Sequence, residues 1–345
     1  MSHSFETLLD KNQESVSDSS LRPGRIDEFV GQDQHVRNLK TYVAGALQRA
    51  EPLDHVLLSG PPGLGKTTLA HIVARELGTT IYQTSGPIIE KKGDLTAILT
   101  DLNENDVLFI DEIHRLRTSL EEILYKAMED FKLDIMVGQG VGAKSIAIDV
   151  KPFTLIGATT KSGLLSSPLR DRFGISFHFD FYPVEELSKL IVRNADLFHV
   201  GLTADTADKI ALRSRGTPRI ANRLLRRLRD FAQVENDGVI DDRLANRAFD
   251  ALGIDHAGFD DTDRKILKTI IFTFKGGPVG LSTLATAIQE ERSTIEDVYE
   301  PYLVSCGYLH TTSRGRVATE KALKHFHQDM PGSFLQNHLF RVDGK

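Results

Sequence analysis

Gly60-Pro61-Pro62-Gly63-Leu64-Gly65-Lys66-Thr67-Thr68 fits G-x-x-x-x-G-K-[ST], the pattern of a phosphate-binding loop. Its flanks supply the context that the pattern needs. His55-Val56-Leu57-Leu58-Ser59 is a short apolar run suited to a buried strand. Thr67 to Leu77 carries Leu69, Ile72, Val73 and Leu77 at helical spacing. The loop is therefore expected at a strand-to-helix turn, where backbone N–H groups and a helix N-terminus face an anion. Gly63 and Gly65 would let the backbone approach the phosphates. Lys66 would neutralise β/γ oxygens, Thr67 would hold Mg²⁺ with its hydroxyl, and Thr68 would follow in the same turn.

A magnesium-bound triphosphate needs an acidic partner. Val107-Leu108-Phe109-Ile110-Asp111-Glu112 reads as a parallel strand that delivers two carboxylates to the nucleotide edge of a sheet. Asp111 would hold Mg²⁺, and Glu112 would orient and polarise the attacking water. Many strands end in an acid at a turn, so this run gains its meaning from the loop that precedes it.

Two later segments separate an assembly ATPase from a small-molecule kinase. Thr154–Thr160 is a strand ending in polar residues. Thr160, or alternatively Thr159, could hydrogen-bond the attacking water or the γ-phosphate, although a threonine can also simply cap a strand. Ser167-Pro168-Leu169-Arg170-Asp171-Arg172-Phe173-Gly174 places two arginines in a tight connection. Arg172, with Arg170 as second choice, is the candidate arginine finger. Such a group, reaching a phosphate from a neighbouring subunit, raises rate by about 10³–10⁵. The plainer reading is a surface pair with Asp171. Further on, Gly216-Thr217-Pro218-Arg219 starts a helix with proline near its first position, from where Arg219 could reach back to the γ-phosphate. Arg223, Arg226, Arg227 and Arg229 follow on that helix, as a solvated face or as ion-pair partners.

The remaining organisation is modular. The first twenty residues are polar and aperiodic, and are expected to be a flexible tail. Residues 21–182 alternate strand-like and helix-like segments, with strands expected at 55–59, 80–84, 107–111, 153–158 and 175–181 and a helix over Thr118–Asp130. The fold class is α/β: a P-loop ATPase domain with a parallel sheet. Residues 133–150 interrupt that rhythm with a β-hairpin pattern whose apolar positions (Ile135, Val137, Ile146, Ile148) could face a partner. Residues 183–254 read as a wholly helical lid. Residues 255–345 read as a winged-helix head, with a third helix that turns Ile295, Val298 and Leu303 inward and a hairpin turn at Ser313-Arg314-Gly315-Arg316 suited to phosphate contact.

Bulk composition narrows the classes. With 345 residues, 40% hydrophobic and 26% charged, the chain is long enough for two or three globular domains. A single cysteine, Cys306, excludes an internal disulfide framework and, with no apolar run long enough to span a bilayer, points to the cytoplasm. Net charge is −6 and the pI about 6.1, but the acidity lies mostly before residue 182. A near-neutral head can still carry a local basic stripe, so DNA remains open.

Together these segments resemble the RuvB family of AAA+ ATPases, the Holliday junction branch-migration motors of bacteria. The similarity runs from about Leu21 to His325 and rests on GPPGLGKTTLA, LFIDEIHRL, LIGATT, SSPLRDRFGI, RGTPRIANRLLRR, TIEDVYEPYL and the RGR turn. The resemblance implies an AAA+ domain, a small helical lid and a winged-helix head, assembled as a homohexamer on duplex DNA. It implies ATP and Mg²⁺ as cofactors, and RuvA, docked through the 133–150 hairpin, and the resolvase RuvC as partners. It further implies nucleotide contacts at Leu21, Arg22, Glu129, Asp130, Phe131, Tyr182 and Arg219, and DNA contacts at Arg292 and Arg316. Thr311 departs from the family, which carries an arginine there, so one phosphate contact is expected to be missing. A clamp-loader-type AAA+ ATPase shares the ATPase motifs but not the winged head. A regulator that only senses ATP would not need Glu112 and Arg172.

Overall fold

The computed structural model describes residues 21–137 and 144–326. The expected N-terminal tail, the hairpin tip with Gly138, Gly140 and Gly142, and the end of the head lie outside the described residues. The backbone separates into two units, Met1–Val200 with Thr217–Arg223, and Gly201–Gly216 with Leu224–Lys345.

The first unit is organised by apolar runs too short for anything but strands. β1 (Val56–Ser59), β2 (Ile81–Ser85), β3 (Val107–Asp111), β6 (Thr154–Thr159) and β7 (Ile175–His178) form one parallel sheet in the order β2-β3-β6-β1-β7. A parallel sheet is covered on both faces, which is why the central strands are continuous hydrophobic runs. Val107 to Ile110 and Leu155 to Ile156 are fully buried, each large side chain contributing about 1.5–3 kcal/mol. β4 (Lys132–Val137) and β5 (Lys144–Asp149) form a separate antiparallel hairpin, paired Leu133↔Ile148 and Ile135↔Ile146. Ile146 and Ile148 are exposed on it.

Strand polarity fixes where the functional segments fall. The loop Gly60–Gly65 leaves the C-terminal end of β1, and Asp111 and Thr159 end β3 and β6 on the same edge. Arg172 precedes β7, whose Ile175 pairs with Val56 at the start of β1. It therefore sits at the opposite edge, across strands of four to six residues, about 13–20 Å away at the strand rise. The helix Thr118–Asp130 ends at that same far edge. His55, just before β1, bonds the carbonyl of Met128, and Phe131 packs edge-on against Phe153, just before β6.

In the second unit the lid portion is not wholly helical. β8 (Gly201–Leu202), just before the helix Ala204–Leu212, and β9 (Val239–Ile240), just before Asp242–Ala251, pair as a short parallel ladder. Strands of two residues carry no period-2 signal. The head packs Phe259, Ile266, Ile270, Leu284, Ile295 and Leu303 into one core, and ends in the hairpin β10 (Leu309–Thr312) and β11 (Gly315–Ala318). The expected third helix is broken into Arg292–Thr294, a π-helical turn Ile295–Tyr299 and Glu300–Ser305. The wider turn shifts the phase of the helix, so Ile295 and Leu303 are buried as expected while Val298 is 53% exposed.

Candidate nucleotide site and nucleic-acid surface

Gly60 and Gly63 both have positive φ, and the loop requires it. A Cβ on Gly60 would lie 2.4 Å from the Phe179 carbonyl, and one on Gly63 would lie 3.0 Å from the Cβ of Arg219. The second contact matters for the site. The Arg219 N–H donates to the Gly63 carbonyl at 3.3 Å, so the first turn of the helix Pro218–Glu235 lies directly on the loop. Proline at the first helical position loses no hydrogen bond there.

Lys66 is 7% exposed. Its Nζ donates to the carbonyls of Gly60 and Pro61, each at 2.7 Å. Burial lowers its pKa to about 8, against the pull of Asp111. Asp111 is raised above the usual carboxylate range, again by burial first. One of its oxygens accepts the Glu112 N–H at 2.8 Å. A buried ammonium beside a half-buried carboxylate, each short of full solvation, forms a site suited to a charged ligand. Glu112 follows in left-handed backbone (φ 47°) and pairs with Arg115 at 2.9 Å, its side chain 46% exposed.

The two threonines at the end of β6 differ. Thr159 is buried, within 2.9 Å of His114 Nδ1, and accepts the Lys161 N–H at 3.0 Å. Thr160 follows the strand and is exposed. Tyr182 is buried and donates its hydroxyl to the Leu64 carbonyl at 3.3 Å, and burial raises its pKa. The Leu21 carbonyl accepts from Arg193 at 3.2 Å, which anchors the segment carrying Leu21 and Arg22. The structure thus gathers Gly63, Gly65, Lys66, Asp111, Tyr182 and Arg219 around the loop.

A second group gathers at the far edge of the sheet. Arg172 forms an ion pair with Glu129 at 2.8 Å, donates to the Tyr125 hydroxyl at 3.3 Å and lies over the Tyr125 ring at 4.8 Å. Asp130 and Phe131 follow directly. Arg170, two residues before Arg172, is exposed. Tyr125 and His114 were not among the residues singled out in the sequence. The available signal for Tyr125 was its i, i+4 relation to Glu129 on one helix face.

Comparison with known proteins identifies what carries this arrangement. A model of the Holliday junction DNA helicase RuvB P-loop domain matches residues 21–179, a RuvB AAA lid model residues 182–255, and a RuvB C-terminal winged helix model residues 256–327. The chain belongs to the RuvB family. A structure of Thermotoga maritima RuvB, described as a Holliday junction branch migration motor, is 52% identical, covers 90% of this chain and 100% of its own length, and has a TM-score of 0.83. Structures of single-residue variants of that protein match equally, at 52% identity over 90% of this chain and 99% of theirs, with a TM-score of 0.83. RuvB proteins are P-loop AAA+ ATPases, and nucleotide binding by this chain follows from that membership.

The winged helix, as in a RuvB head, presents the expected basic residues unequally. Arg292 opens a helical turn and is exposed, and Arg314 is exposed at the hairpin turn. Arg316 is turned inward. Its Nε and one NH₂ donate to the two oxygens of buried Glu300 at 2.8 and 2.9 Å. Thr311, opposite Arg316 in the hairpin, donates its hydroxyl to the same carboxylate at 2.9 Å. The Arg316 side chain is 14% exposed. No helix among the described residues is long and apolar enough to cross a membrane.

Proposed function

We propose that this chain is an ATP-driven DNA motor that hydrolyses ATP between identical subunits of a hexameric ring and pulls duplex DNA through it, driving Holliday junction branch migration with RuvA and RuvC. The observation that carries this reading is the position of Arg172 at the sheet edge opposite its own phosphate loop. A finger so placed serves a nucleotide held by another copy, which couples hydrolysis to assembly.

Residues 21–182 form the large ATPase domain, 183–254 the lid and 255–345 the DNA-binding head. Lys66 turns its ammonium from the Gly60 and Pro61 carbonyls to the β/γ oxygens, beside the backbone N–H groups of Gly63, Gly65, Thr67 and Thr68. Thr67 and Asp111 fit a hard cation. Asp111 is a half-buried carboxylate with one oxygen committed to a backbone N–H, and oxygen donors suit Mg²⁺. Mg²⁺, when bound there, supplies positive charge for the phosphate oxygens. Glu112 orients and polarises the attacking water, Thr160 helps to place it, and Thr159 is the alternative. Arg172 of the neighbouring copy stabilises the charge that develops on the transferring phosphoryl group, with Glu129, Asp130 and Phe131 beside it on the same edge. Arg219, in contact with Gly63, reports the state of the phosphates to the lid, while Leu21, Arg22 and Tyr182 hold the nucleotide's other side. The exposed Ile146 and Ile148 support the hairpin as the RuvA-docking segment.

Arg172→Ala is expected to lower ATP turnover by about 10³-fold. Mixing it with Lys66→Ala chains, which carry the finger but not the lysine, is expected to restore part of that activity. Phosphate release from mixtures at several ratios checks this. Absence of recovery at every ratio would remove the finger from the neighbour's site. At the head, Arg314→Ala is expected to lower the slope of log K against log salt by about one, as loss of one phosphate contact does. Fluorescence anisotropy on duplex DNA measures it, and an unchanged slope would exclude Arg314.

A further inference from the structure

The Tyr125–Arg172–Glu129 cluster has no evident role in stabilising the fold. The Arg172 and Glu129 side chains are 37% and 40% exposed, and ion pairs at such exposure contribute little to stability. Its construction is nevertheless specific. Tyr125 and Glu129 lie one turn apart on the helix Thr118–Asp130 and face the same way. Arg172 closes the short helix Ser167–Asp171, and its N–H donates to the Leu169 carbonyl at 3.2 Å. Leu169 and Phe173 on either side of it are buried in the core. The backbone that carries the guanidinium is therefore fixed, and only its side chain needs aiming.

Two contacts aim it. The ring of Tyr125 lies under the guanidinium carbon, and the Tyr125 hydroxyl accepts one N–H. A flat cation over an aromatic face keeps its plane while remaining free to slide. Glu129 takes part of the remaining donor fork, while the Arg172 Nε is buried without a protein partner. A carboxylate at a half-exposed site is a partner that a phosphate, with more charge and more acceptor oxygens, can displace.

We infer that Tyr125 is the positioning residue of the arginine finger: its ring and hydroxyl hold the guanidinium extended at the subunit edge, where Glu129 neutralises it until a neighbour's γ-phosphate takes its place. This rests on the trans-acting role of Arg172 given above. Tyr125 touches neither substrate nor reacting atoms in this scheme. It acts by reducing the conformational freedom that Arg172 loses on engaging the phosphate.

The test separates the chain that gives the finger from the chain that receives it. Arg172→Ala chains act as acceptors, and Lys66→Ala chains as donors. Donors that also carry Tyr125→Phe or Tyr125→Leu are compared with the Lys66→Ala donor, with melting temperature and assembly size recorded for each. The Phe donor, which loses only the hydroxyl, is expected to give about three-fold less rescued kcat, and the Leu donor about ten-fold less. The KM for ATP should stay unchanged, because the acceptor's own loop binds the nucleotide. If both double donors rescue as well as Lys66→Ala does, the Tyr125 inference is overturned while the trans finger stands. A rise in KM with kcat unchanged would also overturn it. No rescue by the Lys66→Ala donor itself would overturn the trans finger, and the Tyr125 inference with it.

Discussion

Glu112→Gln is expected to leave nucleotide bound and to lower turnover by about 10²–10⁴-fold, the usual range for loss of a general base. Geometry separates the two effects. The groups proposed to meet the phosphates belong to the loop, with Lys66 held by Gly60 and Pro61, and Gln leaves all of them in place. What is lost is a negative oxygen on the residue after β3, which lies in left-handed backbone. Folding should be little changed, since the only ion pair that Glu112 makes among the described residues, with Arg115, joins two half-exposed side chains. Phosphate release and binding of a fluorescent nucleotide, measured on the same preparation, give the comparison. Turnover within ten-fold of the parent would mean that another group orients the water.

Arg215→Met is expected to destabilise the second unit by about 3–5 kcal/mol, the cost of orphaning a buried charge. Arg215 is 6% exposed and Asp263 is fully buried. The guanidinium bonds Asp263 directly, pairs with Asp260 at 2.8 Å and donates to the Gly258 carbonyl at 3.0 Å. Asp263 also caps its helix by accepting the Asp260 N–H at 3.0 Å. Burial pushes the Asp263 pKa up to about 7, against the pull of Arg215. A carboxyl with a raised pKa takes up a proton on folding between its unfolded value and about 7, so its contribution is largest at low pH and is lost as pH rises through about 7. Without Arg215 the charged carboxylate costs more still. The deficit of the variant should therefore shrink as pH falls from 8 towards 5, and Asp263→Asn added to Arg215→Met should recover part of it at pH 8. Thermal melting of the full chain across that range decides. A deficit independent of pH would mean that lost packing, rather than the orphaned carboxylate, is responsible.

Local signals in the chain foretold a good deal of this molecule. The loop, β3, the helix Thr118–Asp130 and the proline that opens the Arg219 helix depend on neighbours a few residues away, and all appear where periodicity and spacing put them. The departures have tertiary causes. Val298 faces solvent because a π turn rephases its helix. β8 and β9 exist only as each other's partners. Arg316 reads as a basic turn residue until Glu300, sixteen positions earlier, is placed beneath it. Thr311 looks like the loss of a basic contact, yet it shares that same carboxylate. Tyr125 carried only the weak mark of helical spacing from Glu129, and its partner lies 47 positions away. Proximity of that kind is a product of folding and leaves no pattern in a linear chain.

The phosphate loop and Arg172 lie at opposite ends of the paired strands β1 and β7. Under the proposed assembly each chain owns two half-sites and no whole one. An open row of n copies would hold n − 1 complete centres, with one unused loop at one end and one unused finger at the other. Closing the row adds a centre without adding a chain. Under the proposed assembly, a chain lacking the finger silences one neighbour's nucleotide and spares its own, so defects in a mixed ring would fall one place away from the altered subunit.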